Sequence, residues 1–292
     1  MRPRAFRLLL PVAAALCAPS AGASEVAPWQ PPRIASELFE SHGAFDPLVR
    51  DFYFVRSSRE FRGWRILVSH CEAGGWSTPV DAPFAGDGVE ADPWFTPDGR
   101  RLYFISTRST DGAKHKDLDI WRVGRDAQGR WGEPERLPEP VNSRAQEWFP
   151  RLAPDGWLYF GSSRAGGHGK TDIWRARADA QGHWQVENLG AAINSAADEY
   201  EPLPSPDGRS LVVMAADGLY RAERQGDGWT PKRKIDAVTA NGSEIGALFS
   251  PSGRSLLFSR DVKGERSGEF FVWHVNGDEA WPPACPADAP GT

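Results

Sequence analysis

A glutamate stands seven residues before the proline of a tight turn in each of five similar segments along the chain: Glu40 before Pro47, Glu90 before Pro97, Glu147 before Pro154, Glu199 before Pro206 and Glu244 before Pro251. Self-similarity at a period of about fifty residues means one supersecondary unit copied until the copies bury one another. The two clearest copies read Glu90-Ala-Asp-Pro-Trp-Phe-Thr-Pro-Asp-Gly-Arg-Arg-Leu-Tyr-Phe and Glu147-Trp-Phe-Pro-Arg-Leu-Ala-Pro-Asp-Gly-Trp-Leu-Tyr-Phe. Copy four keeps Ser205-Pro206-Asp207-Gly208 and copy five Ser250-Pro251-Ser252-Gly253, whereas copy one has drifted to Asp46-Pro47-Leu48-Val49.

The turn sets the local structure. Proline presets φ at the first central position, aspartate tolerates the turn, and glycine supplies positive φ. Apolar stretches flank it, such as Pro93-Trp94-Phe95 upstream and Leu102-Tyr103-Phe104-Ile105 downstream, and both have strand composition. A third strand follows at Asp119-Ile120-Trp121, Asp172-Ile173-Trp174, Gly218-Leu219-Tyr220, Phe271-Val272-Trp273 and Arg65-Ile66-Leu67. A polar turn then leads to a fourth strand headed by Trp76, Trp131, Trp184, Trp229 or Trp281. Four short antiparallel strands per unit, repeated about five times, predict an all-β chain folded as a β-propeller of five four-stranded blades, with six blades as the alternative.

These residues resemble the TolB-like, or WD40-like (PD40), β-propeller repeat, with its glutamate, its Ser-Pro-Asp-Gly turn, Leu-Tyr-Phe, Ser-x-Arg and Asp-Ile-Trp. The resemblance spans nearly all of residues 40–275. Copy four departs from it, having Met214-Ala215-Ala216 where copies two and three have Ser106-Thr107-Arg108 and Ser162-Ser163-Arg164. It implies binding or scaffolding toward an envelope protein or a cell-wall component.

The N-terminus carries Arg2, Arg4 and Arg7, an apolar run from Leu8 to Ala18 and then Ala21-Gly22-Ala23, the pattern of a signal peptide over residues 1–23 cleaved near Ala23. The expected product is a periplasmic or secreted monomer, one propeller over residues 24–292 with a Pro-rich tail at 282–292. The segment from Trp29 to Ile34 is expected to close the ring as the last blade's fourth strand. No later apolar run is long enough for a transmembrane helix. A formal net charge of −5, more negative without the signal arginines, argues against nucleic acid as a partner. Cys71 and Cys285 would become neighbours on ring closure, either as a disulfide or as two free thiols.

On one propeller face, the five glutamates start the innermost strands, beside the fourth-to-first loops, and the second-to-third loops add His115, Lys116, His168 and Lys170. One reading is a binding face with an acidic ring of Glu40, Glu90, Glu147, Glu199 and Glu244 and a basic rim. The other is that a residue recurring in every copy bonds backbone N–H groups or the arginine of Ser-x-Arg, because buried polar groups must be paired. Trp94, Trp148 and Trp157, which the copies do not share, are the aromatic candidates for a binding surface.

No Gly-x-Ser-x-Gly elbow, His-Glu-x-x-His, phosphate loop or zinc-spaced cysteine cluster occurs, so no metal, cofactor or catalytic residue is assigned. The sequence weighs against an enzyme and toward protein binding. Its alternative is a glycoside hydrolase or lyase with carboxylates at the central channel.

Overall fold

A computed structural model describes residues 26–110, 117–239, 244–261, 268–275 and 279–285. The predicted signal peptide with its cleavage site, His115, Lys116 and the tail beyond Cys285 lie outside the described residues.

The chain forms five blades, each an antiparallel sheet of short strands. Blade one runs from Phe39–Phe45 at the axis through Phe52–Ser57 and Arg65–Ser69 to Val80–Asp81. Blade two has Glu90–Phe95, Arg101–Ser106, Asp119–Gly124 and Glu135–Arg136. Blade three has Glu147–Leu152, Leu158–Ser162, Asp172–Ala178 and Trp184–Asn188. Blade four has Glu199–Pro204, Ser210–Ala215 and Gly218–Gln225, followed by the short Gly228–Trp229 and Arg233–Lys234. In blade five, Glu244–Phe249, Ser255–Arg260 and Glu269–His274 come from the C-terminal part of the chain, and the outer strand is N-terminal.

That closing strand is Val26–Pro28, paired with Phe271–Trp273, and not the segment from Trp29 to Ile34. Trp29 donates its N–H to Phe270, and Ile34 is fully buried. Only in blade three does the repeat tryptophan head a continuous fourth strand. Trp76 and Trp229 sit in small hairpins, Trp131 forms an isolated bridge, and Trp281 is not in a strand. The sulfurs of Cys71 and Cys285 are bonded, with Cα atoms 5.5 Å apart, and tie the segment after blade five to blade one.

Strands with alternate residues on each face bury one blade against the next, so the core is a set of inter-blade layers. Val55, Phe104, Leu158 and Phe160 belong to one such cluster, and Leu203, Val212, Leu256 and Phe258 to another. Among the described residues no helix is long and apolar enough to cross a membrane.

Candidate functional site

Each of the five glutamates is buried and held at the start of its innermost strand. Glu40 accepts from Ser36 and Arg56, Glu90 from Arg108 and the Gly86 N–H, Glu147 from Ser143 and Arg164, and Glu244 from Arg260. The same arginines reach carbonyls of the preceding loop, as Arg56 does to Ile34, Arg108 to Phe84, Arg164 to Val141 and Arg260 to Val238. Blade four, lacking Ser-x-Arg, recruits Lys232 from beyond its third strand. Its Nζ lies 2.9 Å from Glu199 and 2.6 Å from the Ile193 carbonyl. Burial raises Glu40 and Glu90 above the usual carboxylate range against the pull of these donors. The glutamates thus fasten each innermost strand to its loop and second strand.

A second ring lies two residues further on. After each glutamate and its neighbour the innermost strand bulges, with breaks in pairing between Ser41 and Ala44, Ala91 and Trp94, Trp148 and Arg151, Tyr200 and Leu203, and Ile245 and Leu248. The residue at each bulge has positive φ: His42 at 50°, Asp92 at 60°, Phe149 at 55°, Glu201 at 53° and Gly246 at 66°. Four of these are not glycine, a conformation that persists only where the surroundings over-determine it and that concentrates at functional sites.

The bulges bring five blades together at the axis. His42 Nε2 lies 3.2 Å from Glu201 Oε1 and 3.6 Å from Asp92 Oδ1, so the two carboxylates are less than about 7 Å apart. Asp92 Oδ2 accepts the Phe149 N–H at 3.0 Å, and Glu201 Oε2 accepts that of Gly246 at 2.6 Å. The His42 ring stacks on Phe149 at 5.4 Å, and Phe149 on Tyr200 at 6.1 Å. Arg151, also buried, donates to the carbonyls of Asp92 and Pro150 and lies over Trp94. At Gly246 a Cβ would stand 2.5 Å from the His42 backbone nitrogen, so only glycine fits there.

Burial pushes the Asp92 carboxyl up to about 6, with His42 and Arg151 opposing. For His42 burial disfavours the cation, yet the Asp92 and Glu201 charges outweigh it and hold the imidazole above its ordinary value. Its Nδ1 is 2.8 Å from Ser41 Oγ. Both imidazole nitrogens are therefore engaged within the plug, and His42 and Asp92 both face the cavity above.

That cavity, of about 220 Å³, opens on the face of the fourth-to-first loops. His42 and Asp92 line its floor, and Phe61, Trp64, Trp148 and Tyr200 its walls. Thr171 and Asp198 bring polar groups from the loops of blades three and four. On the opposite face a second cavity, of about 340 Å³, is ringed by the turn prolines Pro47, Pro97, Pro154, Pro206 and Pro251. The two share no lining residue, so the bulge ring plugs the channel.

Of the predicted rim, His168 and Lys170 are exposed; their loop is pinned where the His168 and Gly169 N–H groups donate to Asp172, and it ends at Thr171 on the cavity wall. Trp148 lines the mouth. Trp94 lies under Arg151, and Trp157 is flanked by Arg175 and Arg177. Among the described residues no cluster of histidine, cysteine and acidic side chains is arranged to hold a metal ion.

The sequence-based expectation against an enzyme is corrected by this arrangement. Chain positions as far apart as His42, Asp92 and Glu201 converge into a buried, ion-paired carboxylate and histidine cluster consistent with a catalytic site, which no local motif could announce.

No family model matches the chain. An uncharacterized protein of Agrobacterium fabrum is 26% identical over 187 residues, covering 63% of this chain and 51% of that protein, so the chain matches about half the length of its curated relative. Among solved structures, a TolB-like protein from Agrobacterium tumefaciens superposes with a TM-score of 0.50 at 16% identity, over 77% of this chain and 70% of that one. A gluconolactonase from Xanthomonas campestris gives a TM-score of 0.49 at 12% identity, over 86% and 97% of the two chains. The fold is a five-bladed β-propeller resembling TolB-like proteins.

Proposed function

We propose that the chain is a carbohydrate-active enzyme, a glycoside hydrolase or lyase, whose acid–base group is Asp92 at the floor of the plugged channel. The observation that carries this reading is the position of Asp92: 1% exposed, lining an aromatic-walled cavity, with its carboxyl pushed up to about 6. A group titrating near the working pH can both give and take a proton, the requirement for general acid–base catalysis. Glu201 is a second buried carboxylate of the same plug, on the other side of His42 from Asp92. Trp64, Trp148 and Tyr200 offer faces on which a sugar ring can stack.

Export to the periplasm is part of the proposal. The Cys71–Cys285 bridge supports it, since disulfides persist in oxidising compartments. The envelope or cell-wall partner expected from the repeat resemblance then becomes the substrate, a polysaccharide of the cell surface.

The test is a panel of cell-wall and plant polysaccharides, assayed for new reducing ends and for the ultraviolet absorbance of unsaturated lyase products. Asp92→Asn should lose at least about a hundredfold in rate, and a substitution at exposed Glu135 should not. Absence of product on every polysaccharide, or an Asp92→Asn protein as active as the wild type, would contradict the reading.

A further inference from the structure

We infer that the channel-mouth cavity selects ligands carrying a protonated or quaternary amine. On the carbohydrate reading above, this makes the substrate an amino sugar with a free ammonium group.

Asp92 faces the cavity with one carboxylate oxygen that accepts no hydrogen bond among the described residues. Asp92 is 1% exposed, and its Oδ2 takes the Phe149 N–H. Its Oδ1 makes no hydrogen bond among the described residues; the His42 Nε2 lies 3.6 Å away, beyond bonding distance, and is bonded to Glu201 instead. A carboxylate oxygen that faces a cavity and pairs with His42 only at 3.6 Å keeps room for a short hydrogen bond, which a ligand donor can supply in place of water.

The surrounding side chains say what kind of donor fits. No lysine or arginine lines the cavity among the described residues. The plug's own donors make their hydrogen bonds elsewhere, His42 to Glu201 and Ser41 and Arg151 to two carbonyl oxygens, so that His42 meets Asp92 only as an ion pair at 3.6 Å. Within the plug Asp92 and Glu201 balance His42 and Arg151, which leaves Asp198 and the aromatic faces to set the sign of the field at the mouth. Phe61, Trp64, Trp148 and Tyr200 present π-systems whose negative faces attract a cation, most strongly where water is excluded. An ammonium group can sit among these rings and donate to Asp92 Oδ1. A carboxylate or phosphate would meet Asp92 and Asp198 with no counter-charge.

Four probes separate the possibilities: glucosamine, glucose, glucuronate and choline, titrated at pH 7 into the wild-type protein by calorimetry and tryptophan fluorescence. Glucosamine and choline should bind, glucosamine at least about tenfold more tightly than glucose, and glucuronate should not saturate. Trp148→Leu and, separately, Asp92→Asn should each weaken cation binding about tenfold, with unchanged circular dichroism. Choline binding without any sugar binding would uphold the amine preference while removing the sugar reading. Equal binding of glucose and glucosamine would overturn the amine preference and leave the sugar reading standing. Failure of both cations to bind would overturn it as well.

Discussion

His42 of blade one and Glu201 of blade four meet across the propeller axis, Nε2 to Oε1 at 3.2 Å, although 159 residues separate them in the chain. The contact exists because each innermost strand bulges two residues after its glutamate and turns the bulge residue toward the channel. Four such side chains and Gly246 close the channel, and burial among them, with His42, Arg151 and Glu201 nearby, sets the protonation of Asp92.

Replacing His42 with alanine removes the cation between two buried acids. Breaking a buried ion pair by deleting one partner costs about 3 to 5 kcal/mol. Urea unfolding at pH 7 should show a loss of that order, and His42→Gln, which keeps a donor toward Glu201, should lose less.

Stability should fall as pH rises from 5 to 8. The folded Asp92 carboxyl, at about 6, binds its proton more tightly than the unfolded one, so its contribution grows as pH drops through 6 and is complete below the ordinary value of 3.8. His42, also raised, adds stability that is fully present below its unfolded value of 6.5 and disappears as pH climbs through its folded one. Glu40 and Glu90 act with the same sign as Asp92. The Asp92 share is about 3 kcal/mol between its limits. Melting curves across this range should flatten in Asp92→Asn, which gains at pH 8 relative to wild type.

Lys232 should behave as blade four's substitute for the repeat arginine. Lys232→Met strands Glu199 without its cation and should cost about 3 kcal/mol, whereas the Lys232→Met, Glu199→Gln pair should recover part of that loss. A double-mutant cycle in urea reads the coupling. Purely additive losses would mean that Lys232 does not serve Glu199.

The disulfide joins residues 214 apart in sequence. On the chain-entropy model a loop of this length contributes about 5 kcal/mol. Removing it with Cys71→Ala plus Cys285→Ala should lower the melting temperature, and untreated wild-type protein, denatured, should show no titratable thiol among these two.

The period, the turn and the strand composition were legible in the sequence because every copy repeats them and each has a local cause. The repeated glutamates stood out for the same reason, and their partners turn out to lie mostly in the same repeat. The plug was not legible, since its five positions hold His42, Asp92, Phe149, Glu201 and Gly246, which share no chemistry. The available signal was positional: a column of unlike residues, always two past the glutamate, inside an otherwise regular frame. Lys232 was hidden because it reaches Glu199 from a different strand than the arginines it replaces. The sequence signal for the closing strand lies a few residues late because Trp29 matches the repeat tryptophan, whereas the pairing uses Val26–Pro28.

The most direct measurement follows the side-chain carboxyl carbon of Asp92 by ¹³C NMR from pH 3 to pH 9. A midpoint near 6, displaced in His42→Gln and in Glu201→Gln, is the result predicted from the plug. A midpoint near the ordinary 3.8, unmoved by either substitution, would contradict it.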